Sequence, residues 1–213
     1  VTAQYSKELQ DVGMVTGSLW TDIDKDGDAD LLLSLQWDGI VAFINNKGSF
    51  SKKNLTEKKG WWNFALPVDI DNDGDLDIVA GNLGLNSRLK ATSAEPVTMY
   101  YNDFDENGKK EQVLTYFLNG KEIPFANKAE LEKQLPFLKK KFLYADDFAK
   151  AKLGDIFSKS MLSNAISYSA DCFESAVFVN DGQLNFIMKP FPWKAQLTTY
   201  RAAVVLDANG DKL

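Results

Sequence analysis

The chain contains no histidine and a single cysteine, Cys172, among its 213 residues. Without histidine, neither a His-bearing catalytic triad nor a zinc site of the common kind can be assembled. With one cysteine, no intramolecular disulfide can form, and Cys172, set among apolar residues, reads as a small core side chain. Long hydrophobic runs are missing as well. None approaches the roughly 18 residues that span a bilayer, so no membrane span is expected. The first residues, VTAQYSKELQ, lack the basic-then-apolar order of a signal peptide. Positive charge is in deficit, with 24 basic against 30 acidic residues and a net charge of −6. That balance argues against nucleic acid or an anionic membrane as a general partner and is compatible with cationic ones. A hydrophobic content of 45% is enough for a substantial core, in one ordinary domain or two small ones.

What the chain has in quantity is aspartate, arranged in a repeated pattern. DIDKDGDADLLL at 22–33 returns as DIDNDGDLDIVA at 69–80, and a weaker copy, DFDENGKKEQVL, starts at Asp103. A fourth, LDANGDKL, aligns Gly210 with Gly27. Repeats spaced by a few tens of residues point to a solenoid, a propeller or an array of supersecondary units.

The segments after each loop read as β-hairpins. DLLLSLQWDGIVAFINNKGSF holds two apolar runs parted by WDG, then a second turn at NNKG. QVLTYFLNGKEIPF has the same layout around an Asn-Gly turn, which predicts a type I′ hairpin. The late segment SAVFVNDGQLNFIMKPF resembles IVAFINNKGSFSKKNL and reads as the outer hairpin of the third repeat. Between them, residues 127–170 are rich in Lys, Leu and Ala. Asn127 with Glu130 forms a capping-box pattern, and Leu131, Leu135, Leu138 and Phe142 recur at helical spacing around Pro136, which is expected to start or bend a helix. The run Lys139, Lys140, Lys141 reads as a solvated helix face. The expected organisation is therefore 1–126 as repeats with acidic loops, 127–170 as a helical insertion, and 171–213 as the third repeat's outer hairpin plus the start of a truncated further repeat.

Carboxylates at positions 1, 3, 5 and 9 of a nine-residue loop repel one another, and a cation removes the conflict. Calcium takes six to eight oxygen ligands in flexible geometry, and Gly27 or Gly74 at position 6 permits the sharp turn. The first candidate site comprises Asp22, Asp24, Asp26 and Asp30 with the backbone carbonyl of Asp28. The second comprises Asp69, Asp71, Asp73 and Asp77 with the Asp75 carbonyl. The third, Asp103, Asp105, Asn107 and Glu111, is weaker because Asn107 is neutral and Lys109 stands at position 7. The fourth, with Val205 at position 1 and Leu213 at position 9, is not expected to hold an ion. An EF-hand needs a Glu at position 12, where this chain has Leu33, Ala80 and Leu114. Magnesium is disfavoured because it keeps its waters. Acidic surface turns without an ion are the competing explanation, weakened by the near-identity of two copies.

DIDKDGDADLLL and DIDNDGDLDIVA resemble the FG-GAP/VCBS repeats, whose blades carry a D-x-D-x-D-G-x-x-D calcium loop between strands, as in the integrin alpha-subunit propeller. AGNLGLNS followed by PVTMYYNDFDENG is similar to the bacterial secreted branch. The resemblance implies an all-β fold of propeller-type blades on an extracellular, cell-surface or periplasmic protein with Ca²⁺ as its ion. Roughly 170 residues outside the insertion make only about three to four blades, a partial ring. The sequence accordingly reads as a piece of a longer protein, whose missing blades, or another chain, cover the open strand edges. The expected function is a calcium-stabilised module that binds a protein or glycan ligand and is not an enzyme. A propeller-based polysaccharide lyase or hydrolase is the alternative, although Asp146, Asp147 and Glu174 lack a recognisable partner pattern. Trp61 and Trp62, adjacent on a strand, should face opposite ways, so that one could meet a sugar ring, but core packing between blades is the preferred reading, and Trp20 and Trp37 likewise read as structural.

Overall fold

The computed structural model describes residues 2–206. The chain divides into two units, one formed by Val1–Arg88 with Cys172–Leu213 and the other by Leu89–Asp171. A short helix, α1 (Thr2–Tyr5), and a 3₁₀ turn at Lys7–Leu9 precede the first sheet. That sheet runs β1 (Met14–Thr21), β2 (Asp30–Asp38), β3 (Ile40–Asn46) and β4 (Ser49–Asn54) in simple antiparallel order, with β5 (Gly60–Trp61) paired to the far end of β2. The consecutive leucines of β2 are explained by burial on both of its faces. Leu32 joins Ile40 and Ala42 in the main core, whereas Leu33, Leu35, Val41 and Phe43 form a second cluster closed by Leu9 and Val12.

Next in the chain come β6 (Phe64–Val68) and β7 (Asp77–Gly81), after which the second unit begins. There β8 (Val97–Asn102), β9 (Glu111–Leu118) and β10 (Lys121–Pro124) form a meander. The β9–β10 loop is the two-residue Asn119-Gly120 turn, with φ of 51° and 72° and Leu118 paired to Lys121. Positive φ at both positions is what a type I′ turn requires. Five short helices follow: α2 (Lys128–Gln134), α3 (Leu138–Lys141), α4 (Ala145–Lys150), α5 (Leu153–Ile156) and α6 (Lys159–Ser163). Asn127 caps α2 in a reciprocal capping box with Glu130, and Pro136 separates α2 from α3. Leu131, Leu135, Leu138, Phe148, Ile156 and Phe157 pack against Phe104 and Val113 of the sheet region. The insertion is not helical to its end, because β11 (Ile166–Ala170) pairs antiparallel with β8.

The chain then re-enters the first unit with β12 (Ala176–Asn180) and β13 (Phe186–Pro190). Here the expected connectivity is corrected. β12 pairs with β7, aligning Ala176 with Ala80 and Phe178 with Ile78, so the sheet order is β13-β12-β7-β6. The late hairpin thus completes the second repeat, and the third repeat, together with its helices and β11, is inserted between β7 and β12. Burial is the reason: Ile78, Ala80, Ala176 and Phe178 share one core with Leu32, Ala42 and Trp62. The fold is therefore three antiparallel sheets with a few short helices, and among the described residues no barrel closes.

The tryptophans divide by face. Trp62 is fully buried and makes an edge contact with Phe178 at 5.4 Å, while its neighbour Trp61 lies on the other side against Trp37 and Phe173. Trp20, expected to be structural, is instead 60% exposed on β1, the edge strand of the first sheet.

Candidate metal centres

Each acidic loop connects two antiparallel neighbours, and all three close in the same register. Thr21 pairs with Asp30, Val68 with Asp77, and Asn102 with Glu111, so the residue before position 1 always faces position 9. A strand follows every loop, which removes the helix that an EF-hand requires. Within the loops, position 4 (Lys25, Asn72, Glu106) has φ of 58–61°, and position 6 (Gly27, Gly74, Gly108) has φ of 85–96°. At position 6 glycine adopts this conformation without steric cost.

The carboxylates at the two ends also tie the loop together. Gly27 N–H donates to Asp22 Oδ2 (3.0 Å), Gly74 to Asp69 (3.1 Å) and Gly108 to Asp103 (2.7 Å). In return, position 2 donates to position 9: Ile23 to Asp30 (2.8 Å), Ile70 to Asp77 (3.0 Å) and Phe104 to Glu111 (3.0 Å). Asp30 and Asp77 are 0% and 1% exposed, and such buried carboxylates are tolerable only with donors or a counter-charge around them.

The structure brings three acidic groups together in each loop. Oxygens of Asp22, Asp24 and Asp30 lie within 4.8 Å of one another, as do those of Asp69, Asp71 and Asp77, and those of Asp103, Asp105 and Glu111. These nine carboxylates could hold three metal ions. The side chains at position 5 are not among these nine and shape the turn through one oxygen. Asp26, Asp73 and Asn107 each accept the N–H of the residue two further on, shaping the turn. Asp28, counted for its carbonyl, uses its side chain to accept Lys47 N–H at 3.0 Å. Asp75 occupies the corresponding position of the second loop, its Oδ1 buried without a hydrogen-bond partner. Residues 207–213 of the fourth acidic stretch lie outside the described residues.

The crowding has an electrostatic signature. Desolvation, together with repulsion from Asp30, Asp26 and Asp22, raises the pKa of Asp24, against the lowering effect of the Asp26 N–H. Desolvation and then repulsion from Asp73, Asp77, Asp71 and Asp69 raise that of Asp75. The donor set fits a hard cation, since it consists of oxygens alone. In each loop at least one buried carboxylate oxygen, Asp22 Oδ1, Asp69 Oδ1 or Asp105 Oδ1, has no hydrogen-bond partner. A buried anionic oxygen without a donor is costly, and a cation supplies what is missing.

Two asparagines bind the first and second loops to their sheets in the same manner. Asn45 N–H donates to Asp30 Oδ1 and its amide to Ala29 O, at 2.8 and 3.1 Å. Asn180 N–H donates to Asp77 Oδ1 and its amide to Leu76 O, at 2.9 and 3.2 Å. Sequence reasoning missed both, although the shared ending of VAFIN and AVFVN carried the signal. It also missed Asn82, fully buried where the chain leaves the first unit. Its side chain accepts Trp61 and Leu83 N–H and donates to Cys172 O, across the point of return.

With this geometry in place, residues 22–80, from the first loop to the end of the strand after the second, match the family described as FG-GAP-like repeat. No curated protein and no solved structure matched the chain. The matched stretch suggests a β-propeller-like binding module.

Proposed function

We propose that the chain is a calcium-stabilised set of propeller-type blades that binds a protein or glycan outside the cytosol, without catalysing a reaction. The observation that carries this reading is the threefold recurrence of one loop geometry, in which three carboxylates converge and at least one buried oxygen lacks a donor. Asp22, Asp24 and Asp30, and their counterparts in the other two loops, would hold the ion. Its contribution is structural: a divalent charge that offsets their repulsion and fastens each loop across the pair of strands it joins. Loops of this type in extracellular modules bind calcium with Kd on the order of 10⁻⁴ to 10⁻³ M, which suits a compartment rich in calcium. Further repeats or another chain would cover edge strands such as β1, whose Val15, Leu19 and Trp20 are exposed. A binding role is favoured over catalysis because the convergent carboxylates are committed to cations, and Asp146 is paired with Lys150 on an exposed helix.

Thermal melting with and without calcium tests the proposal. Millimolar calcium should raise the melting temperature and EDTA should reverse the gain. Identical melting curves in the two conditions would refute it.

A further inference from the structure

A cavity of about 330 Å³ lies in the first unit, at the lower end of the roughly 300–1,000 Å³ typical of small-molecule sites. Thr16, Gln36, Trp61, Asn63, Thr199 and Arg201 contribute to its wall. None of these residues belongs to an acidic loop. The Trp61 ring is held by an edge contact to Trp37 at 5.1 Å and a tilted contact to Phe173 at 5.0 Å, so it forms a rigid apolar surface. Its indole N–H is buried and has no acceptor.

The polar groups of the wall have an uneven donor and acceptor balance. Thr199 Oγ1 lies 2.8 Å from Leu83 O, so its hydroxyl directs its proton into the fold and keeps lone pairs to offer, whereas Thr16 Oγ1 is enclosed by Trp62 O, Ser34 O and Ser34 Oγ at 2.5, 2.9 and 3.1 Å. Asn63 donates its amide to Tyr200 O at 3.0 Å, leaving Oδ1 as an acceptor. These two acceptors suit a ligand rich in hydroxyl donors. Arg201 is the charged member of the described wall and is exposed. A guanidinium binds a carboxylate through paired hydrogen bonds.

We infer that this cavity binds a sugar residue bearing a carboxylate, the uronic-acid unit of an acidic glycan. Ring hydroxyls would donate to Thr199 and Asn63, the carboxylate would meet Arg201, and the ring's C–H face would meet the Trp61 indole. This rests on the glycan-binding half of the proposed function and narrows it to one ligand class.

Calorimetric titration of the calcium-loaded chain with oligogalacturonate, oligomannuronate and hyaluronan oligosaccharides tests the site, with cello-oligosaccharide and galactan as neutral controls. At least one uronate probe should bind, and the neutral probes should bind about tenfold more weakly or not at all. Arg201→Gln should weaken uronate binding by about tenfold or more, with the calcium-induced melting shift unchanged, and Arg201→Lys should fall between. No binding by any uronate probe, equal binding of neutral and acidic probes, or a neutral effect of Arg201→Gln would each overturn the inference. A chain that gains stability from calcium and captures neutral glycans or a protein, yet ignores uronates, would lose this site and keep the broader function.

Discussion

Asp22 uses one carboxylate oxygen to accept Gly27 N–H and leaves the other buried without a donor. This division of labour separates the loop's shape from its charge. Asp22→Asn keeps an oxygen for the glycine amide while removing one negative charge. Calcium binding at the first loop should therefore weaken roughly tenfold, since such sites are tuned by ligand charge. In EDTA the same variant should melt no lower than the parent, because a repelling charge has gone. Calcium titration followed by melting in both buffers checks the opposed signs. Asn82 is a different kind of residue, an uncharged hub whose loss strands Trp61 and Leu83 N–H. Asn82→Ala should cost about 3 kcal/mol in chemical denaturation, with the calcium-dependent increment retained. The aspartates were legible in the sequence because their chemistry is set by spacing along a short loop. Asn82 was not, because its partners Trp61 and Cys172 are distant in the chain and share no local pattern with it.

Among the elements, the Asn119-Gly120 hairpin and the Asn127 cap followed directly from local residue chemistry. β11 did not, because a strand of five residues after a helical stretch has no periodicity long enough to distinguish it. In the sheet it completes, Tyr100 O–H donates to Glu122 Oε1 at 3.2 Å, and Thr115 Oγ1 lies 2.6 Å from the same oxygen. Desolvation first, then the Glu122 charge and hydrogen bond, push the Tyr100 pKa up to about 12. Because the folded value is raised, this tyrosine supports the fold below its ordinary value of 10.0 and loses that contribution as the pH climbs through about 12. Ultraviolet titration should show one tyrosine ionising near that pH. Glu122→Gln should lower its value part of the way, with burial holding the remainder.

At the scale of the whole molecule, an entire unit is inserted between two neighbouring strands of one sheet. Gly84 N–H donates to Phe173 O at 2.8 Å and Asn82 reaches Cys172 O at 3.0 Å, so the departing and returning segments are joined within the first unit. That unit also holds its own core, from Ile23 and Leu32 to Phe178. Replacing Leu89–Asp171 by a short Gly/Ser linker should yield a chain that still melts cooperatively and binds two calcium ions, where the full chain should bind three. Calcium stoichiometry and near-ultraviolet circular dichroism check this. Loss of cooperative melting would mean that the first unit depends on the inserted one.

The amino-acid sequence by itself determined the acidic loops, the strands that follow them and the hairpin turns, because each depends on residues within a dozen positions of one another. Only the tertiary structure decided which sheet the hairpin of β12 and β13 completes. Its alternating apolar pattern fits the edge of the second sheet or the third equally well, and the choice rests on burial of Phe178 against Trp62 and on Asn180 reaching Asp77, contacts made across an intervening unit. The cavity was equally hidden, since Thr16, Trp61 and Arg201 become neighbours only when the chain's two distant segments fold as one unit.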